Sequence, residues 1–146
     1  MENIGYLMMK VSKELRYALS KKLAFYDLTS SQWAVMKQLD IEEQIQSSLN
    51  KKTAVELAAR LDFDKPTISG IVKRLIEKEM IRREVHPNDR RASVLFLTKE
   101  AKELIPVIDE VCDVVIEHSL RAFDSNEKAM FLQLLKKIDK TLIKEE

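Results

Sequence analysis

This 146-residue sequence predicts a mainly α-helical chain carrying one small β-hairpin, and three observations support that class. Only two Gly and three Pro punctuate the whole length, too few for a fold built from many turns. Apolar residues recur three and four apart over most of the chain, the spacing that lines one face of a helix. Between Ile81 and Leu97 the period shortens to two and β-branched or aromatic residues collect, as a pleated ribbon requires.

The elements follow in order. Ile4, Met8, Val11, Leu15, Ala18, Leu19 and Leu23 place a first helix over about 3–26. Asp27-Leu28-Thr29 interrupts it, and Thr29 or Ser30 can cap a second helix with Trp33, Val35, Met36 and Leu39 inward. Residues 40–52, DIEEQIQSSLNKK, are polar and read as a helical extension followed by a loop. Thr53-Ala54-Val55-Glu56 has the pattern of a capping box, opening a short helix that ends at Asp62. Asp64 is placed to cap the next helix, whose first turn tolerates Pro66. There Ile68, Ile71, Val72, Leu75 and Ile76 form one apolar stripe. The opposite face shows Lys65, Thr67, Ser69, Gly70, Lys73 and Arg74.

Next, Ile81, Arg83 and Val85 alternate with Arg82, Glu84 and His86, and the polar run from His86 to Ala92 predicts a hairpin with a long tip. Thr98 can cap a helix from Lys99 to about 122, with Leu104, Ile108, Val111, Val115 and Leu120 inward and a bend at Pro106. Asp124 with Glu127 caps the last helix, whose stripe is Phe131, Leu134, Leu135, Ile138 and Leu142.

Composition narrows the function class. A chain 45% hydrophobic and 34% charged is long enough to bury one core without staples and polar enough to coat it. Its single Cys cannot form an internal disulfide, which fits a reducing compartment. Charges spread through MENIGYLMMKVSKELRY argue against a leader, and no apolar run approaches the roughly 18 residues of a membrane helix. The expected location is cytoplasmic, with no membrane partner. The net charge of +1 hides an asymmetry: from Lys51 to Arg91 eleven Lys or Arg face seven Asp or Glu, a balance of +4, so the rest carries −3.

A short capped helix, a tight turn and a longer helix make a helix-turn-helix, with the hairpin after it as a wing. A recognition helix needs an apolar face anchored on its domain and a small, basic face able to enter the major groove. The stretch from Lys65 has that division. Thr67, Ser69 and Gly70 are short enough for close approach, Lys65 and Lys73 long enough for guanine acceptors or phosphates, and Arg74 suits a phosphate. The bland alternative is an amphipathic surface helix with solvated lysines. At the hairpin tip, Asp89 makes little sense against DNA except as an organiser holding a guanidinium by bidentate bonds. Arg90 and Arg91 would then divide between that bond and the nucleic acid, an Arg fitting the narrow minor groove of A·T-rich sequence. The competing reading is a turn whose Asp bonds its own backbone beside two solvated arginines.

These residues resemble the MarR family of winged helix-turn-helix regulators. The likeness is carried by LTSSQW (Leu28 to Trp33), TAVELAARLDFDKPTISGIVKRLIEKEMIRR (Thr53 to Arg83) and HPNDRRASVLFLT (His86 to Thr98). The resemblance implies that Arg91 enters the minor groove with Asp89 supporting it, and that the helix from Lys65 reads the major groove. It implies a winged domain over 29–98 and a helical dimerisation region from 1–28 and 99–146. Three departures stand out. Glu79 replaces a usual Gly before the wing strand, Ala101 replaces another after Leu97-Thr98, and residues 40–52 run longer than usual.

The expected function is therefore a homodimeric DNA-binding transcription regulator, a repressor released from a pseudo-palindromic operator by a small molecule. The resemblance implies a small aromatic or amphipathic ligand at the junction of the DNA-binding and dimer regions, where Tyr17, Phe25, Tyr26, Trp33 and Met36 are candidates. Aromatics at helical spacing serve more often as core. A redox-responsive repressor acting through Cys112 is an alternative, although Asp113 beside it opposes thiolate formation. A helical protein-binding module or antirepressor is another. An enzyme is not expected: no phosphate loop, nucleophile–base pattern, metal cluster or cofactor motif is present.

Overall fold

The computed structural model describes residues 3–144 and contains six α-helices and one two-stranded antiparallel sheet. Helix α1 spans Ile4–Ala24 and is capped by the Asn3 side chain, which accepts from the Tyr6 N–H at 3.0 Å. Helix α2, Ser30–Gln44, opens on a full capping box: Thr29 Oγ1 accepts from Gln32 N–H while Gln32 Oε1 accepts from Thr29 N–H. The polar run after it continues α2 to Gln44 and then makes a short 3-10 turn, Leu49–Lys52.

Helix α3 is Ala54–Leu61. Thr53 Oγ1 accepts from the Glu56 N–H, but the reciprocal half of the expected box is absent among the described residues; the Thr53 backbone instead bridges Val94 of the wing. Asp62 ends α3 in the left-handed conformation, and after one residue the Asp64 side chain caps α4, Lys65–Glu77, accepting from Thr67 N–H at 2.8 Å. The Thr67 hydroxyl first, and then its N–H, hold the Asp64 carboxyl below its ordinary range.

Glu79 occupies the left-handed region at φ 60. The turn that commonly uses Gly keeps its geometry with a Glu in it, at some strain. Thr98 stabilises it by donating its hydroxyl to the Glu79 carbonyl at 2.8 Å and its N–H to the Met80 carbonyl at 3.0 Å.

Strands β1 (Ile81–His86) and β2 (Asp89–Leu97) form the hairpin. The expected long tip is not found. Pro87 and Asn88 make a two-residue turn, and the polar residues after it belong to β2. Pairing runs regularly from Ile81↔Leu97 to Val85↔Ser93, then jumps to His86↔Asp89. Arg90, Arg91 and Ala92 are thus a bulge between paired positions. At that end Val85 is exposed, while His86, on the opposite face of β1, is buried.

Thr98 caps α5, Lys99–Ser119, which continues as helix through Pro106. Helix α6, Ser125–Lys144, opens on the expected reciprocal box between Asp124 and Glu127, at 3.0 and 2.8 Å. The chain forms two compact units, Met1–Cys112 and Asp113–Glu146.

In the first unit one core gathers Leu23 and Leu28, Val35, Met36 and Leu39 of α2, Leu57 of α3, the α4 stripe, Ile81, Leu95 and Leu97 of the hairpin, and Ala101, Ile105 and Ile108 of α5. Burying the fifteen of these side chains larger than Ala, at roughly 1.5–3 kcal/mol each, is the main force holding the winged layer to its neighbours. Ala101, at one of the family's glycine positions, is fully buried in this core. In the second unit none of the described α6 side chains is buried, although Phe123 and Phe131 meet edge to face with centroids 5.6 Å apart.

Candidate nucleic-acid interface

Helix α4 divides as its sequence requires. Ile68, Ile71, Val72 and Leu75 are buried, while Lys65, Thr67, Ser69, Gly70, Lys73 and Arg74 are all exposed. Gly70 is informative. A Cβ built there meets nothing within 4 Å, so no contact inside the chain demands a glycine. A helix-interior Gly costs about 1 kcal/mol relative to Ala, and here the chain recovers none of it internally.

The wing presents Asp89, Arg90 and Arg91 exposed. Asp89 does not hold a guanidinium as expected but follows the competing reading, a turn in which the Asp bonds its own backbone. Its Oδ1 accepts from the Arg91 backbone N–H at 3.0 Å, and no ion pair joins it to either guanidinium among the described residues. A carboxylate two residues from a backbone donor closes a local turn at less entropic cost than it orders a long side chain. Both arginine heads therefore stay available, with Arg91 held at its main chain. Asp89, Arg91, Ala92 and Ser93 also line one side of a cavity of about 390 Å³, whose other side is the start of α3 with Asn50 and Thr53.

The wing root is held by the 3-10 turn that the sequence left indistinct. The Lys52 ammonium lies 4.5 Å from the Phe96 ring centre and the Arg82 guanidinium 4.6 Å from it, and Arg82 also pairs with Glu84. Farther out, the buried His86 ring bonds to Asn50 Oδ1 through Nε2 at 2.9 Å. The bridge from Thr53 to Val94 completes the attachment.

Beneath this surface lies a buried acid that a polar run could not disclose. Glu42 is 1% exposed, pairs with Arg60 of α3, and accepts from the Gln38 amide at 2.9 Å, while its Oε2 has no partner among the described residues. Ser47, whose hydroxyl lies against Glu42, then Gln38 and the Arg60 charge hold its carboxyl below the ordinary glutamate range, against burial, which raises it. The pair ties α2 to the helix-turn-helix. Lys37 does the same toward α5 through Asp109 at 2.6 Å.

The five candidate ligand residues divide between core and solvent. Met36 is wholly buried in the core, Tyr26 and Trp33 pack against it, and Tyr17 and Phe25 are exposed. None lines either cavity described. The larger, about 580 Å³, lies between α2 and α5 and is bounded by Asp40, Glu43, Gln44, Lys102, Ile105, Pro106 and Asp109. Cys112 is half-buried against the core, a packing position. Among the described residues, no helix is long and apolar enough to cross a membrane.

Comparison with known proteins agrees with this geometry. The MarR family profile matches residues 28–93, the segment from the start of α2 to the bulge. The HTH-type transcriptional repressor NicR of Pseudomonas putida is 28% identical over 138 residues, spanning 94% of this chain and 82% of that protein. A crystal structure of MarR superposes with a TM-score of 0.81 at 23% identity, covering 98% of this chain and 99% of the other. The Staphylococcus aureus MepR–DNA complex gives 0.79 at 22% identity, covering 97% and 99%. At those identities the two structures establish the fold.

Proposed function

We propose that the chain is a winged helix-turn-helix regulator of the MarR type, whose family profile matches residues 28–93, and that it works as a homodimeric repressor, released from a pseudo-palindromic operator by a small molecule. The observation that carries the DNA-reading part is the division of α4: a buried stripe under a continuous exposed face of Lys65, Thr67, Ser69, Gly70, Lys73 and Arg74. Lys65, Lys73 and the short Thr67, Ser69 and Gly70 address the major groove, with Arg74 on a phosphate. Arg90 and Arg91 address the backbone and the minor groove, with Asp89 setting the bulge that projects them.

The dimer reading is supported by unfinished apolar surface on each terminal helix. Ile4, Tyr6, Leu7, Met8, Met9 and Val11 of α1 are exposed, as are Phe131, Leu134, Leu135, Ile138 and Leu142 of α6. Residues 1–28 and 99–146 therefore form the dimer base in this reading and 29–98 the DNA-binding part. Two copies place recognition helices one helical turn apart, roughly 34 Å, on a pseudo-palindrome. Repression is supported by the named role of NicR. Ligand release follows from the family resemblance rather than from the α2–α5 crevice, where Asp40, Glu43 and Asp109 outnumber a Lys102 already paired with Glu43 at 3.4 Å. Such a protein acts in the cytoplasm, on the DNA it regulates.

Selection of bound duplexes from a random pool tests this directly: a recovered palindrome is expected, and recovery of no preferred sequence would remove the reading. Log affinity should fall against log salt by about 0.9 per phosphate contact, which an acidic protein partner would not reproduce on DNA. Arg91→Ala should weaken binding to the selected duplex at least tenfold, while Ser69→Ala or Lys73→Ala should also alter the preferred sequence.

A further inference from the structure

The outer end of the wing is attached to the 3-10 turn by a single histidine. His86 is the last residue of β1, beside the Pro87-Asn88 turn, yet it is only 9% exposed. Its Nδ1 accepts the Asn88 N–H at 3.0 Å. The ring hydrogen must then sit on Nε2, which donates to Asn50 Oδ1 at 2.9 Å. One neutral tautomer satisfies both bonds. The imidazolium cannot, because its second hydrogen would point at the Asn88 N–H.

The charged groups on the surrounding elements are Arg82, Arg83 and Glu84 of β1, Asp89, Arg90 and Arg91 of β2, Lys51 and Lys52 of the 3-10 turn, and Glu56 and Arg60 of α3. None makes an ion pair or hydrogen bond with the ring, and the Asp89 carboxylate is engaged by Arg91 N–H. Cations outnumber anions there, so nothing compensates a charged ring. The consequence reaches the arginines through the backbone. The bulge Arg90–Ala92 hangs between two paired positions, Val85↔Ser93 and His86↔Asp89, and His86 fixes the outer one.

We propose that the neutral His86 ring, held by Asn50 at Nε2 and by the Asn88 N–H at Nδ1, is a latch that positions the arginine-bearing bulge for DNA, and that protonation of Nδ1, which breaks the Asn88 bond, releases the ring. The latch rests on the DNA-binding reading above. It predicts a sign opposite to simple electrostatics. A new positive charge near DNA should strengthen binding as pH falls, whereas an opened latch weakens it.

The test is the affinity of the full-length protein for a duplex selected at pH 7.5, measured from pH 8 to 5.5 at constant ionic strength, with circular dichroism at each pH. Wild-type affinity should fall roughly tenfold from pH 8 to 5.5, the equivalent of one lost hydrogen bond. His86→Gln supplies a donor and an acceptor that do not titrate, so it should bind like wild type at pH 7.5 and keep that affinity at 5.5. Asn50→Ala, at an exposed position, should bind about tenfold more weakly at pH 7.5 and lose the pH dependence. His118→Gln is the control and should leave the wild-type profile intact. Equal profiles for wild type and His86→Gln would overturn the latch while leaving DNA binding in place. Failure of the wild type to bind any duplex at pH 7.5 would overturn the DNA-binding reading, and the latch with it.

Discussion

Helices α4 and α6 are built alike and end differently. Each begins with an aspartate that accepts a backbone N–H three residues on, and each carries an apolar stripe at helical spacing. The α4 stripe is buried by α2, α3 and the hairpin, down to complete burial at Leu75. On α6, Leu135 remains 46% and Leu142 60% exposed. The lesson is that an amphipathic stripe specifies that a face will be covered, not by which chain. A helix whose stripe is covered by its own chain has an intrinsic stability. One whose stripe is open has a stability set by concentration.

The largest effect that can break this contrast comes from charging the open stripe. Leu135→Asp with Ile138→Asp should convert the proposed dimer to monomers at micromolar concentration in analytical ultracentrifugation, a weakening of more than about 100-fold, since each acid would be buried unpaired at the proposed interface. Unchanged sedimentation would mean that α6 has no partner. Next, Leu75→Ala should cost about 3 kcal/mol of unfolding free energy. Its loss should be the same at two protein concentrations in urea titrations, unlike any loss from Leu135→Ala.

A smaller effect sharpens the same point below the α4 surface. Arg60→Ala would leave Glu42 buried without its cation, at a cost of roughly 2 kcal/mol, moderated by the partial exposure of Arg60. Because the folded-state value of Glu42 is depressed, its contribution is present above the ordinary glutamate value near 4.5 and is lost as pH falls through the depressed value. The wild type should therefore lose stability in that acid window more steeply than Glu42→Gln, as read from thermal midpoints at pH 6 and pH 3.5. The smallest effect separates the two faces of α4. Gly70→Ala should stabilise the fold by about 0.5–1 kcal/mol, since its Cβ meets open space, yet weaken DNA binding. Stronger or unchanged binding would remove Gly70 from the interface.

Much of the site was legible because it is local. The α3–turn–α4 succession rests on Thr53 and Asp64, whose side chains accept backbone N–H groups three positions on, and on Asp62, whose left-handed backbone ends α3, so the sequence alone announces much of it. The buried and exposed faces of α4 follow from 3.6-residue periodicity in the same way. The wing was legible as a hairpin but not in its register. A polar run looks like a long tip, whereas pairing of His86 with Asp89 shortens the turn to two residues and moves the arginines into a bulge. Asp89 likewise chose a backbone donor over a guanidinium. Residues 40–52 were least legible, because Glu42, Asn50 and Lys52 are polar residues whose partners lie 18, 36 and 44 positions away, in Arg60, His86 and Phe96.

What the sequence by itself determined is the set of decisions made within one or two helical turns: where helices start, which face is apolar, and that six helices are broken once by a ribbon. Capping and periodicity act between near neighbours, so their energies are present before any tertiary contact forms. What only the tertiary structure decided is which surfaces meet: the α4 stripe against α2, the 3-10 turn against the wing, the aromatic candidates dispersed between core and solvent. Those outcomes depend on shape and on the burial of groups far apart in the chain, and no local rule weighs them.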